Sequence, residues 1–354
     1  MKTGVSILAV VMFLFIACRK DANDAPDDGT GNMVLTPELP SWIRDSIVLF
    51  NTPADNPTTA HGVALGRKLF YENALSDNYT QNCGTCHVQS HGFSDPLPFS
   101  VGTNGAVGTR SSMALINLGW DNFLFWDGRR TDLEGQAHDP VTNPIEMRNT
   151  WPVVVQRLQA DAQYPPLFQA AFGTDIIDSV LAVKAIAQFE RTLLSFGSRY
   201  DRYRFLGDST ALNGSEKRGY SLYSRDAHCD DCHTEPRMSD GFLRNNGLDL
   251  FPPDSGLAGI TGLAGDMGNF KVPTLRNIAA TAPYMHDSRF NTLEEVMDFY
   301  ATGVNLNAAT IDAHMAPWVD GSIALDAQDQ ADIVAFLHAL TDSTFLTDPA
   351  FAAP

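Results

Sequence analysis

The chain has 354 residues and a formal net charge of −18 at pH 7, a length that suits one large domain or two domains of about 150 residues each. Asp and Glu number 42 against 24 Lys and Arg, and no basic patch stands out. This composition excludes nucleic acid as an expected partner, because binding to phosphate requires clustered Lys and Arg.

The N-terminal residues have the pattern of an export signal. Lys2 precedes an apolar run from Val5 to Ile16, and the small Ala17 leads to Cys18. This run is shorter than the roughly 20 apolar residues that cross a membrane. The group that ends in Cys18 resembles a bacterial lipobox, whose cysteine carries a lipid. An ordinary signal peptide that contains a cysteine is the alternative interpretation.

Residues 1–18 are therefore predicted to be a lipoprotein signal peptide with its lipobox. Residues 19–40 contain many Asp and Pro and are predicted to be a flexible tether. This interpretation makes the protein exported and periplasmic. A lipid on Cys18 would then be its single membrane anchor. The sequence does not identify the membrane leaflet that holds this anchor.

The other four cysteines lie in two copies of a C-x-x-C-H motif. In c-type haem attachment two thiols bind the haem vinyl groups while the adjacent histidine binds the iron. A redox-active pair, a zinc site and structural disulfides are alternatives, but none of them requires a histidine at the same offset in both copies. Two covalently bound haems are thus predicted, on Cys83, Cys86 and His87 and on Cys229, Cys232 and His233.

A repeated helical unit surrounds the two motifs. LGRKLF precedes the first motif and RGYSLY precedes the second, where Asn213 or Ser215 is expected to cap the helix. An amphipathic helix closes each half. Its apolar residues are Val183, Ile186, Phe189, Leu193 and Phe196 in the first half, and Ile333, Phe336, Leu337 and Leu340 in the second. Strand alternation is scarce, so the sequence predicts an all-α fold of two cytochrome c-like helical domains, residues 41–206 and 207–354.

Further motifs give the chain a specific resemblance. From about Leu65 to Thr341 the sequence resembles the bacterial dihaem cytochrome c peroxidase family, including its MauG-like branch. The motifs that carry the resemblance are the two haem motifs, FWDGR (125–129), NPIEM (143–147), FERTL (189–193), PTLRN (273–277) and TAPYMHD (281–287). The resemblance implies a first, N-terminal haem that meets hydrogen peroxide and a second, C-terminal haem that receives electrons, with His87 and His233 as the proximal iron ligands.

The resemblance also assigns roles to three side chains. Trp126 in FWDGR matches a tryptophan that lies between the two haems, although a large aromatic residue also serves as a core anchor. Glu146 and Gln136 match residues of the peroxide site. A carboxylate at this place can move a proton between the peroxide oxygens, and an amide can hold them by hydrogen bonds. A solvated surface carboxylate is the alternative for Glu146.

One departure from the family pattern concerns the first haem. Many relatives have a histidine sixteen residues beyond the haem-binding histidine, and it must leave the iron before peroxide binds. Thr103 stands at this position, and threonine is a poor iron ligand. The first haem is therefore predicted to be five-coordinate when ferric. His91 and His138 are alternative ligands, but packing or polar roles are expected for both.

A second departure concerns the distal ligand of the second haem. Tyr300 stands fourteen residues beyond His286, where many relatives have a methionine ligand. Tyrosine occupies this place in the MauG-like branch and binds ferric haem through its phenolate oxygen. Tyr300 is the predicted ligand, and Met315 and Met285 are the alternatives, since methionine more often fills gaps in a core.

The family also binds a calcium ion between the domains. Thr281 and Pro283 match the positions whose carbonyls bind it, but Ser111 replaces an asparagine whose amide oxygen is a ligand. A hydroxyl still binds a hard cation, although less favourably than an amide oxygen does. Relatives often form homodimers. The sequence leaves both calcium and the oligomeric state open.

Three functions fit these features. The first is a peroxidase that reduces hydrogen peroxide to water with electrons from a small external redox protein, a cytochrome c or a cupredoxin. The second is a MauG-like oxidase that acts on a substrate or partner protein through a high-valent state, which Thr103 and Tyr300 favour. The third is an electron carrier without enzyme activity, against which Glu146 and Thr103 count.

Overall fold

A computed structural model describes residues 32–35, 39–44, 50–321 and 323–354, and Cys18 with most of the predicted tether lies outside them. Fourteen α-helices form most of its regular structure. They are α1 (Ser41–Arg44), α2 (Ala60–Phe70), α3 (Cys83–Cys86), α4 (Leu133–Thr142), α5 (Trp151–Ala160), α6 (Tyr164–Phe172), α7 (Ser179–Glu190), α8 (Arg199–Phe205), α9 (Gly214–Ser221), α10 (Ala258–Thr261), α11 (Leu293–Asp298), α12 (Ala316–Val319), α13 (Ala327–Ala339) and α14 (Ser343–Thr347).

Shorter elements connect these helices. The 3₁₀ turns are Asn73–Leu75, Gln89–His91, Leu118–Trp120, Cys229–Asp231, Ala264–Asp266, Ile278–Ala280 and Ala313–Met315, and the π-helical turns are Leu222–Asp226 and Phe299–Gly303. Strands β1 (Leu243–Arg244) and β2 (Phe270–Lys271) pair antiparallel, with Leu243 opposite Lys271. The fold is therefore mostly helical, and this small ribbon is an addition to the all-α prediction. Within the described ranges, no helix has the length and apolar character to cross a membrane.

The same helix contact occurs in both halves of the chain. A Cβ atom at Gly66 in α2 would lie 1.9 Å from the carbonyl oxygen of Ala185 in α7. A Cβ atom at Gly219 in α9 would lie 1.8 Å from the carbonyl oxygen of Asp332 in α13. Glycine at each place lets the helix before the haem motif touch the closing helix of its half. Asn213 caps α9 by accepting a hydrogen bond from the N–H of Glu216 at 3.0 Å, as predicted.

The first closing helix is shorter than the predicted apolar pattern. Helix α7 ends at Glu190, whereas the pattern continues through Leu193 and Phe196. Two hydrogen bonds that span only three residues replace the helical pattern at this end. The Thr192 hydroxyl donates to the carbonyl of Phe189 at 2.7 Å, and the Leu193 N–H donates to the carbonyl of Glu190 at 3.1 Å. Leu193 remains fully buried in the turn that follows.

Two hydrophobic clusters form the core. The first contains buried residues of α2 and α4 to α7, and the second contains residues of α8, α9, α11 and α13. Tyr200 packs in the second cluster, and Phe345 of α14 packs in the first. The division of the chain at residues 206 and 207 and the assignment of one haem to each part remain predictions.

The C-terminal residues return to the first half of the chain. The Arg67 guanidinium donates to the carbonyls of Ala352 and Pro349 at 2.7 and 2.8 Å. The Tyr71 hydroxyl donates to the carbonyl of Phe351 at 2.8 Å, and the Phe351 ring packs against the first cluster. The last turn of α2, which precedes the first haem motif, is therefore held by the end of the chain.

Residues 32–35 differ from the flexible tether that was predicted through residue 40. Asn32 is fully buried, and its amide nitrogen donates to the Thr59 hydroxyl at 2.8 Å. Its amide oxygen accepts from the N–H of His61, in the first turn of α2, at 3.0 Å. The segment is ordered because it satisfies a donor that the start of a helix leaves unpaired.

Candidate haem-binding sites

The first haem motif lies on a short helix whose geometry depends on small residues. Asn82 and Thr85 form a capping box around α3, which brings Cys83 and Cys86 onto one helical turn. A Cβ atom at Gly84 would lie 2.4 Å from the Tyr71 ring, so the first of the two residues between the cysteines has no room for a side chain. In the second motif the turn Cys229–Asp231 is 3₁₀-helical, and only Ala227 and His228 separate it from the π-helical turn Leu222–Asp226.

The four thiols are free and half-buried. Burial raises the pKa of Cys83 and Cys86 above the usual range, and it raises the pKa of Cys229 and Cys232 to about 12. A redox-active pair needs a thiolate, which a depressed pKa would supply. The raised pKa values therefore oppose the redox-active pair among the alternatives to haem attachment.

Both motif histidines are oriented for metal binding through one nitrogen. Nδ1 of His87 lies 2.7 Å from the carbonyl oxygen of Phe93, and Nδ1 of His233 lies 3.0 Å from that of Pro273. Burial lowers the pKa of both imidazoles, which keeps them neutral. A hydrogen bond from Nδ1 to a carbonyl leaves Nε2 available as the ligand and fixes the plane of the ring.

Each motif lines a cavity of its own. The first cavity encloses about 1320 Å³ of empty space and the second about 1830 Å³, with the open mouth included in both values. The first is lined by Cys83, Cys86 and His87 together with Gln136, Glu146 and Glu190, and the second by Cys229, Cys232 and His233 together with Tyr300, Met285 and Met315. Paired thiols and a neutral imidazole in each cavity fit a c-type haem.

Trp126 belongs to the wall between the two cavities and lines both of them. Its indole N–H donates to the carbonyl of Ser111 at 2.9 Å, and its own carbonyl accepts from the N–H of Lys271 at 2.8 Å. Lys271 also lines both cavities and forms an ion pair with Asp121, Nζ to Oδ2, at 2.5 Å. The position of Trp126 between the motifs is thus fixed by hydrogen bonds at both its side chain and its backbone.

The two predicted peroxide-site residues face the first cavity. Glu146 is partly buried, and the Asn143 amide donates to its Oε1 at 2.6 Å. Burial raises the pKa of Glu146, and the charge of Arg129 acts in the opposite direction. Gln136 is 8% exposed, and its buried Oε1 has no hydrogen-bond partner among the described residues. An orphaned amide oxygen in the wall fits a site that receives a polar ligand.

Thr103 adjoins Glu146 without lining the cavity. Its N–H donates to the carbonyl of Glu146 at 3.0 Å, and neighbouring residues 100–102 supply this part of the wall. His91 and His138 also lie away from the cavity wall. His138 stacks on Trp151 with ring centroids 5.5 Å apart, which is the packing role expected for it.

All three candidate ligands of the second haem line the second cavity. Met315 is 5% exposed, and Met285 has a left-handed backbone with φ of 71°. The Tyr300 hydroxyl accepts a hydrogen bond from the Asn246 amide at 3.1 Å. Burial raises the pKa of the Tyr300 phenol to about 12, whereas the hydrogen bond from Asn246 lowers it. The choice among the three residues remains a prediction in favour of Tyr300.

The predicted calcium residues Ser111, Thr281 and Pro283 all line the second cavity. The Ser111 hydroxyl donates to the carbonyl of Met285 at 3.0 Å, and the Thr281 hydroxyl donates to that of Ile278 at 3.1 Å. Across the described residues, no three His, Cys, Asp or Glu side chains are grouped so as to hold a metal. A calcium site there would rest on oxygen atoms of Ser111, Thr281 and Pro283, and it remains a prediction.

Sequence reasoning missed two polar residues of these cavities. Glu190 lines the first cavity and is 3% exposed. It follows Val183 and Ile186 at helical spacing on the apolar side of α7. A glutamate on an apolar helix face indicates a buried carboxyl, and the sequence alone contains this signal. Asn246 lies in a loop, and nothing in its local sequence indicates that it reaches Tyr300.

Comparisons with known proteins agree with these sites. A model of the family described as di-haem cytochrome c peroxidase matches residues 60–210. The chain is 36% identical over 297 residues to the methylamine utilization protein MauG of Methylorubrum extorquens, and this alignment covers 81% of the chain and 80% of that protein. It is 35% identical over 249 residues to the cytochrome c551 peroxidase of Nitrosomonas europaea, and this alignment covers 69% of the chain and 74% of that protein.

A solved structure shares both fold and sequence with the chain. The crystal structure of a MauG-like protein associated with microbial copper homeostasis is 35% identical and has a TM-score of 0.82, covering 90% of this chain and 99% of the other. The diheme peroxidase BthA of Burkholderia thailandensis, at 21% identity and a TM-score of 0.71, supports the fold alone. The chain belongs to the dihaem cytochrome c peroxidase family, which includes MauG.

Proposed function

We propose that the protein is a dihaem peroxidase that reduces hydrogen peroxide to water with electrons from a small external cytochrome c or cupredoxin. The observation that carries this proposal is the first cavity, where Glu146 and Gln136 face the same space as His87. When bound, the first haem would supply the iron that reacts with peroxide, and the second haem would hold one of the two electrons that the reaction needs.

The side chains of the first cavity have complementary tasks in this reaction. Glu146 accepts a proton from one oxygen of the peroxide and returns the proton to the other oxygen, which is the leaving one. The hydrogen bond from Asn143 orients its carboxylate. The free Oε1 of Gln136 accepts a hydrogen bond from the protonated oxygen of the substrate.

The proposal extends to the electron path, the location of the protein, calcium and the oligomeric state. Trp126 lies in the wall between the cavities and offers an aromatic ring on the path of the electrons. The protein would act outside the cytoplasm, anchored by a lipid on Cys18. Calcium near Ser111 and a homodimeric state belong to the proposal as further expectations.

A MauG-like oxidase that acts on a protein partner is the second candidate. Tyr300 in the second cavity favours it, because a phenolate ligand lowers the potential of a haem relative to methionine. The placement of Thr103 outside the first cavity favours it too, since no side chain at that position closes the site. The relatives named MauG are compatible with this candidate, and those named peroxidases with the first.

Rapid mixing with peroxide tests the proposal. We expect the fully ferric holo-protein to react with hydrogen peroxide at once without a reductant, as seen in its visible spectrum, and to turn over when a reduced small cytochrome is added. A protein that reacts without consuming the reduced cytochrome would favour the oxidase. A protein that is inert both as isolated and after partial reduction would be an electron carrier.

A further inference from the structure

The last residue of α7 brings a second carboxyl group into the first cavity. Glu190 is 3% exposed and lines the cavity beside Cys83. The close contact at Gly66 holds α2 against α7 at Ala185 and Phe189, just before the end of the helix. The Glu190 side chain is thus placed by the packing of two core helices and has little freedom to leave the cavity.

This carboxyl lacks the partners that buried charges usually have. Its Oε2 is buried and makes no hydrogen bond to any residue that the structure describes. The adjacent Arg191 instead binds Glu134 of α4, with Nη2 2.5 Å from Oε1. A buried carboxylate without hydrogen bonds is costly, because burial removes its solvation and nothing replaces it.

The groups around Glu190 determine its affinity for a proton. Burial raises its pKa to about 8, the charge of Arg191 lowers the pKa, and the charge of Glu134 raises it. The cations of α2 are directed elsewhere, since Arg67 binds the C-terminal carbonyls and Lys68 the side chain of Gln163 at 3.5 Å.

The other titratable or charged side chains that line the same cavity are Cys83, Cys86, His87, Arg110, Arg129, Glu146 and Lys271. The three cations are paired with aspartates, Arg110 and Arg129 with Asp127 and Lys271 with Asp121. Cys83 loses its thiol when a haem is attached and then no longer titrates. Glu146 also lines the cavity and accepts a hydrogen bond from Asn143. Glu190 is therefore a buried carboxyl with a raised pKa, and its protonation is open to the charge of a group in the cavity.

We propose that Glu190 is the redox-linked proton site of the first haem, taking up a proton from solvent when that haem gains an electron and releasing it when the electron leaves. The reduced haem carries one positive charge less, so it stabilises a nearby carboxylate less and favours the neutral acid. By linkage, protonation of Glu190 favours the reduced haem to the same degree. The inference rests on the haem of the proposed function and is independent of peroxide turnover.

Redox titration of the holo-protein at a series of pH values tests this inference. Between about pH 6 and pH 10, a range that brackets the raised pKa, we expect the midpoint potential of the first haem to fall as pH rises. A coupling of about tenfold in the reduction equilibrium corresponds to a difference of about 59 mV between the two plateaus. In Glu190→Gln the potential should stay at the low-pH plateau of the wild type, because glutamine resembles the protonated acid.

Matched variants make the result specific. Glu190→Met removes the carboxyl without adding an amide and should show the same flat profile, whereas the exposed Glu294→Gln should keep the wild-type profile. A pyridine haemochrome assay confirms two haems in each variant, and fewer than two in the wild type would refute the proposed cofactor content instead. A pH dependence that persists in both Glu190 variants overturns the inference, and its loss in Glu146→Gln alone would assign the coupled proton to Glu146.

Discussion

Glu146 and Gln136 face one cavity with different capacities for hydrogen bonding. The carboxyl of Glu146 can exchange a proton, and its raised pKa brings it closer to neutral pH than an exposed glutamate. In the proposed function the amide of Gln136 would hold a substrate oxygen without titrating, and its buried Oε1 has no partner among the described residues. At the residue scale, the proposed function therefore assigns proton transfer to Glu146 and substrate positioning to Gln136.

Replacement of Glu146 tests the proton-transfer role. Glu146→Gln keeps the size of the side chain and removes the proton acceptor, so steady-state peroxide turnover should fall by about 10²–10⁴-fold. In the wild type the carboxylate is the active form, so turnover should decline as pH falls through a pKa above the ordinary 4.5. The variant should lack this decline. Haem content serves as the control, and unchanged turnover would return Glu146 to the role of a surface carboxylate.

At the element scale, the two halves share a helix pair but differ around their haem motifs. Gly66 and Gly219 make equivalent helix contacts. The second half has a π-helical turn before its haem motif and another that carries Tyr300. A π turn adds a residue to the helical repeat and rotates the side chains after it, which is a frequent device at functional sites. The turn at Phe299–Gly303 brings Tyr300 into the second cavity.

A set of three variants tests which residue binds the second iron. If Tyr300 is the ligand, Tyr300→Phe should abolish the low-spin ferric signal of the second haem in electron paramagnetic resonance. Met315→Leu and Met285→Leu keep an apolar side chain of similar size and should leave that signal in place. Loss of the signal in one of the methionine variants, with Tyr300→Phe normal, would identify that methionine as the ligand.

The predictable features are those that leave a local pattern. The repeated C-x-x-C-H motifs, the helices around Gly66 and Gly219 and the cap at Asn213 follow from spacing and residue type. The end of α7 at Glu190 depends on hydrogen bonds of Thr192 and Leu193 that leave the apolar periodicity unchanged. The contact of Asn246 with Tyr300 joins loop and helix residues far apart in the chain, and only the folded structure brings them together.

At the scale of the whole molecule, a buried polar network joins the two halves. Asp342 caps α14 and accepts hydrogen bonds from the Ser195 hydroxyl at 3.1 Å and the Gly197 N–H at 2.8 Å. Its own N–H donates to Asn277 at 2.7 Å, and Asn277 also binds the Ser195 hydroxyl. The segment after α7, the PTLRN motif and the C-terminal helix thus meet at one aspartate that is 4% exposed.

Removal of this carboxylate should destabilise the whole protein. Asp342→Ala leaves buried donors without a partner, at about 1–3 kcal/mol each, and removes an N-cap worth about 1 kcal/mol. We expect the free energy of unfolding to fall by at least about 2 kcal/mol in denaturant titrations. Asp326→Ala is the matched control, because Asp326 caps α13 from an exposed position and should cost the cap alone. Equal losses in both variants would show that the network contributes nothing.

The return of the C-terminal residues to α2 has a consequence for the order in which the molecule is made. A chain is synthesised from its N-terminus, and domains generally fold as units during this process. The first hydrophobic cluster includes Phe345, and Phe351 packs against it. Arg67 binds the carbonyls of Pro349 and Ala352, and Tyr71 binds that of Phe351. The cluster that surrounds the earlier haem motif is therefore completed only after residues 345–352 have been synthesised and can pack against it.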